Sequence, residues 1–108
     1  MRIDNIHQAL KQFHVQNPSS KATLLPATAS QLSQASGYTR TAVSEELSEL
    51  VRKDQVVKVK SRPVLFFDKD YLEEQFPFFK SSTCYDSLAS LQEDIINRQN
   101  RYIRKSSY

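Results

Sequence analysis

The chain has 108 residues, which suits one small domain with an appended helix. A net charge of +3 permits nucleic acid as a partner without demanding it, and a single cysteine, Cys84, excludes an internal disulfide. No stretch approaches the roughly 18 apolar residues of a membrane helix, and Met1-Arg2-Ile3-Asp4 does not begin a signal peptide, so the expectation is a cytoplasmic chain with no membrane partner.

In chain order, Ile3, Ile6, Leu10 and Phe13 recur at helical spacing and predict a helix over 2–15. Asn17-Pro18-Ser19-Ser20 stops it. Thr23-Leu24-Leu25 reads as a brief extended segment. Thr28-Ala29-Ser30-Gln31 has the form of a capping box and predicts a short helix over 28–36 that buries Leu32. Gly37 is the only glycine, so it is expected to do what glycine does best, ending that helix in the left-handed conformation. Thr39 is the N-cap of the next helix, which buries Val43, Leu47, Leu50 and Val51 and runs to about Lys53.

The period then changes. Val56-Val57-Lys58-Val59-Lys60 and Pro63-Val64-Leu65-Phe66-Phe67 read as two strands joined by a two-residue turn, Ser61-Arg62, with Pro63 at a strand start. Alternation puts Val57 and Val59 on the core face and Lys58 and Lys60 on the other. Asp68 or Asp70 caps a further helical turn holding Tyr71, Leu72 and Phe76, which Pro77 interrupts. Ser81-Ser82-Thr83 reads as a linker, and a final helix from about Asp86 sets Leu88, Leu91, Ile95 and Tyr102 on one face. The expected organisation is a domain over 1–80 and a linker with a C-terminal helix over 81–108.

Helix, short strand, helix, turn, helix, hairpin is the order of a winged helix-turn-helix: mainly α with a small β-hairpin, a three-helix core plus wing, and here a C-terminal helical extension. The second and third helices would cross at Gly37, so that the third can enter the major groove of double-stranded DNA, where every base pair shows a distinct donor and acceptor pattern. With the apolar stripe buried, Thr41, Glu45, Ser48 and Arg52 occupy the opposite face, with Ser44 at its edge. Arg40 falls near the buried stripe but sits in the first turn, where a long side chain can swing to a phosphate or a guanine. Thr39 and the N–H groups of that helix end also favour phosphate. Glu45 is either an acceptor for cytosine N4 or a solvated acid. Lys58, Lys60 and Arg62 make a basic wing; the plainer reading is an edge strand protected by lysines.

Other features point to less. Cys84 has no histidine near it in sequence and reads as a chance thiol. His7 and His14 lie two turns apart, roughly 10 Å, too far for one metal ion without a third element. Packing beside the apolar stripe is their default reading. Tyr38 and the aromatics from Phe66 to Phe79 read mostly as core. No arrangement suggests catalysis, a cofactor or a metal, so an enzyme is not expected. Arg98, Arg101, Arg104 and Lys105 form a basic face on the last helix that reads as solvated. That helix's apolar stripe offers a homodimer contact. The alternative function is a winged helix used only as a protein-interaction module, to which the glutamates of the third helix point.

Two stretches carry a family likeness: Gly37-Tyr38-Thr39-Arg40-Thr41-Ala42-Val43-Ser44 and Ser61-Arg62-Pro63-Val64-Leu65-Phe66-Phe67-Asp68. Over Ser33 to Phe67 the chain resembles the N-terminal winged-helix domain of LevR-type bacterial transcription activators, which act with the alternative nitrogen sigma factor on sugar phosphotransferase operons. The resemblance implies sequence-specific binding to a promoter or enhancer site by the N-terminal fragment of a longer regulator. The chain departs from the family pattern at Ser33, Ser36 and Ser61. It has no phosphate-binding loop of the kind the family's ATPase domain would carry.

Overall fold

A computed structural model describes residues 1–77 and 79–106, with side chains through Arg98. The chain is mainly helical with a small sheet. Helix α1 spans Arg2–Gln16 and buries Ile6, Leu10 and His14. Asn17 closes it: the backbone N–H and the Nδ2 group both donate to the Phe13 carbonyl, and Pro18 bars continuation.

Thr23-Leu24-Leu25, expected to be extended, joins no strand and follows a turn at 20–23. Ser20 and Thr23 bond each other's backbone, and the Ser19 hydroxyl accepts from the Leu25 N–H. Strand β1 comes later, at Ala27–Thr28. Thr28 then caps helix α2, Ala29–Ser36, in a complete capping box with Gln31. Gly37 follows with φ 82°, the left-handed conformation expected of it.

Ser33 and Ser36 brace this turn. The Ser33 hydroxyl donates to the Tyr38 carbonyl at 2.6 Å, and the Ser36 hydroxyl accepts from the Tyr38 N–H at 3.3 Å. Thr39 caps helix α3, Arg40–Arg52, whose Val43, Leu47 and Leu50 are buried. A buried aliphatic side chain contributes about 1.5–3 kcal/mol, so this stripe holds α3 against α1 and α2. Asp54, at φ 62°, lets the chain turn into the sheet, and Lys69 pairs with its carboxylate at 2.7 Å.

Strands β2 (Val56–Val59) and β3 (Leu65–Asp68) form the expected antiparallel hairpin, with Val59 opposite Leu65. Their connection is longer than two residues. It runs from Lys60 to Val64, holds a cis Arg62–Pro63 bond, and is closed by the Ser61 hydroxyl donating to the Pro63 carbonyl. Pro63 therefore lies in the loop rather than at a strand start; it has no N–H to give a ladder.

The sheet has four strands in the order β1-β3-β2-β4. Strand β4, Cys84–Tyr85, runs parallel to β2 and follows directly on the expected linker, whose Ser81 is buried. The N–H groups of Lys58 and Lys60 donate to the carbonyls of Thr83 and Tyr85, both at 2.8 Å. Strand β2 is thus interior, which removes the plainer reading of it as a lysine-protected edge.

Both faces of the sheet are covered. Val56 and Phe66 pack with α1, α2 and α3 in one apolar cluster. Val57, Val59 and Phe67 pack on the other face with Leu24, with Leu72 of helix α4 (Lys69–Gln75), and with Leu91 and Ile95 of helix α5 (Leu88–Ser106). The alternation read from the sequence is right, but the face it assigned to Val57 and Val59 belongs to this second core, and Lys58 shares its face with Val56. Asp68 caps α4, accepting from the Tyr71 N–H. No helix among the described residues is long and apolar enough to cross a membrane.

Candidate functional site

Helix α3 has two unlike flanks. Arg40, Ser44 and Ser48 recur every fourth residue, so they stack along one side of the helix. With Lys58 of β2 they line a groove of about 350 Å³ between α3 and the hairpin. Thr28 and Ser30 from the start of α2 complete its polar wall, while Phe66, Pro63 and Val64 supply apolar surface. Arg40 is exposed at the open first turn of α3, so the buried direction suggested by the helical wheel does not hold it.

The other flank faces α1 and is acidic. The Arg2 guanidinium lies 3.4 Å from Glu45 and 3.5 Å from Glu46. Tyr38 packs against the first core cluster and its hydroxyl accepts from Asn5 Nδ2 at 2.9 Å. Glu49 pairs with Arg52 one turn away. The carboxylate read as a cytosine acceptor and the arginine read as a contact both already have partners, although exposed pairs of this kind hold only about 0–1 kcal/mol.

Of the residues singled out from sequence, Arg40, Ser44, Ser48 and Lys58 are brought together around the groove. Thr39 is spent on the cap, its side chain accepting from the Ala42 N–H. Thr41, Glu45 and Arg52 are exposed outside the lining, as are Lys60 and Arg62 in the hairpin loop. Among the described residues, no carboxylate lies within 4.0 Å of Arg40, Lys58, Lys60 or Arg62. Arg98 is paired with Asp94 at 3.1 Å, and the side chains of Arg101, Tyr102, Arg104 and Lys105 lie outside the described residues.

A second polar constellation was missed in the sequence. His7, Lys11 and His14 share one side of α1 and converge on Asp68. His7 Nε2 donates to Asp68 Oδ1 at 2.7 Å, and Lys11 Nζ donates to Oδ2 at 3.1 Å. The Asp68 N–H donates to His14 Nε2 at 2.9 Å, which places the proton of the neutral ring on Nδ1. That Nδ1 is buried with no partner among the described residues. The ring stacks on Tyr71 at 4.3 Å between centroids and on Phe67 at 5.7 Å. Burial pushes the His14 pKa down to about 4, with Asp68 acting against the shift and Lys11 adding to it.

The spacing of the three α1 residues was visible in the sequence. Their partner, a carboxylate from the end of β3, was not. The node ties α1 to the hairpin and the start of α4. Among the described residues no group of three or more His, Cys, Asp or Glu is placed to hold a metal ion. Comparisons with protein-family models, curated proteins and solved structures found no match to the chain.

Proposed function

We propose that the chain is a winged helix-turn-helix that binds double-stranded DNA, with α3 as the recognition helix and β2–β3 as the wing. We further assign it to transcription regulation of the LevR type, at a promoter or enhancer site. The observation that carries the DNA reading is the hairpin-side flank of α3, where Arg40 and Lys58 meet small hydroxyls in one groove and Lys60 and Arg62 extend the positive charge beyond it. Cations without carboxylate partners are what a phosphate backbone requires, and the hydroxyls are small enough to let a duplex approach closely. The acids that argued against DNA lie on the far flank, where Arg2, shared by Glu45 and Glu46, and Arg52 beside Glu49 offset part of their charge.

Fluorescence anisotropy with a labelled duplex over a salt series tests this. Each phosphate neutralised contributes about −0.9 to the slope of log affinity against log salt, so roughly three contacts give a slope of about −3. Lys60→Ala with Arg62→Ala should weaken binding to every sequence, and Thr41→Ala should change sequence preference. Absence of binding at low salt contradicts the DNA reading and favours a protein-interaction module.

A further inference from the structure

One row of the sheet runs Ala27, Phe66, Lys58, Cys84 across its strands. Residues directly opposite one another project to the same face. Ala27 and Phe66 of this row belong to the first apolar core. The next position outward is Lys58, half-buried on an interior strand, in the register place where an aliphatic residue would extend that core. A partly desolvated ammonium is unfavourable without a counter-charge. Among the described residues no carboxylate within 4.0 Å supplies one. Lys58 borders the groove together with Arg40, and the hydroxyls of Ser44 and Ser48 line the same cavity.

We infer that this groove is a seat for a single phosphate group, held jointly by Arg40 from α3 and Lys58 from β2, with Ser44 and Ser48 as hydroxyl donors. A guanidinium forms paired bonds to phosphate oxygens, and an ammonium adds a point charge. The seat deepens the DNA reading and rests on it for its occupant, a phosphodiester of the backbone; free phosphate has the same chemistry. Fixing one phosphate between helix and hairpin would set the register of α3 in the major groove, whereas Lys60 and Arg62 would meet other phosphates.

The test is a double-mutant cycle in the full chain with Arg40→Gln and Lys58→Gln. Lys58→Met, which keeps the apolar stem, serves as the alternative where Lys58→Gln perturbs folding by circular dichroism. Duplex affinity is measured against salt for each variant. In parallel, inorganic phosphate is titrated at constant ionic strength while the backbone amides of Arg40, Ser44, Ser48 and Lys58 are followed by NMR. Two cations sharing one phosphate lose about 0.9 of slope together, whereas cations on separate phosphates lose about twice that. The expected result is the shared loss, with saturable phosphate shifts that both variants abolish. Saturable shifts without duplex binding support the seat, name free phosphate as its source and overturn the DNA reading. Duplex binding whose slope the variants leave unchanged, or reduce by two separate increments, overturns the seat and leaves the DNA reading standing. Neither phosphate shifts nor duplex binding overturns both.

Discussion

The two flanks of α3 share one helix and one buried stripe, yet they are electrostatic opposites. Toward the hairpin stand Arg40, Ser44, Ser48 and Lys58, cations and hydroxyls without carboxylates around a groove. Toward α1 stand Glu45 and Glu46, both reached by Arg2. A helical wheel of α3 alone sets Glu45 on one outward face with Ser48, and Ser44 at its edge. The neighbouring elements separate them: α1 covers one side with an arginine, and the hairpin leaves the other side open. Whether a helix face favours DNA is therefore decided by what packs beside the helix as much as by the helix itself.

The position of α1 underlies this contrast, and α1 is tied to the hairpin through His14 and Asp68. His14 titrates at about 4 in the folded chain against an ordinary 6.5. Above pH 6.5 the ring is neutral in both states and its full contribution is present. Between pH 6.5 and 4 only the unfolded chain takes up the proton, so stability falls as pH falls through that window. The loss is about 3 kcal/mol. Urea unfolding at pH 7 and pH 4 checks it: the stability difference between the chain and His14→Phe should shift by about that amount in favour of the variant on acidification. A constant difference would mean that His14 is not held neutral and that α1 is secured by other contacts.

Gly37 sets the angle at which α3 leaves α2. A Cβ added there would meet nothing within 4 Å, so the expected cost of Gly37→Ala comes from its φ of 82° alone. That is about 1–2 kcal/mol, read as a lower urea midpoint with an unchanged slope. A larger loss would show that the turn also serves as a packing contact. The smallest expected effect is on the acidic flank. Glu45→Gln with Glu46→Gln should raise duplex affinity by only about threefold, because Arg2 already offsets those charges at exposed positions where such pairs are weak. A gain of more than about tenfold would place the acidic flank against the duplex and reverse the assignment of the two sides.

Much of the local structure was legible in the sequence because it is written in local chemistry. Thr28 with Gln31, Gly37, Thr39 and Asp68 each specify a helix end through bonds to residues three or four positions away, and each does so in the fold. The aliphatic stripes of α1 and α3 were equally plain. What the sequence hid was non-local. Val57 and Val59 announce a buried face but not which core buries it. Cys84–Tyr85 is too short to read as a strand, and only its pairing with β2 makes it one. The same limit applied to the candidate site: Arg40 and Lys58 were found as residues, but their shared groove required the strand register, and Arg2 gave no sign of its link to Glu45 and Glu46.

The most direct measurement is an NMR shift map of the labelled chain titrated with a short duplex at low salt. Changes should concentrate at Arg40, Ser44, Ser48, Lys58, Lys60 and Arg62, with Glu46 and the α1 residues around Arg2 little affected. A map centred on the α1 flank or on α5, with the groove unchanged, would contradict the assignment of the hairpin side of α3 as the DNA-binding face.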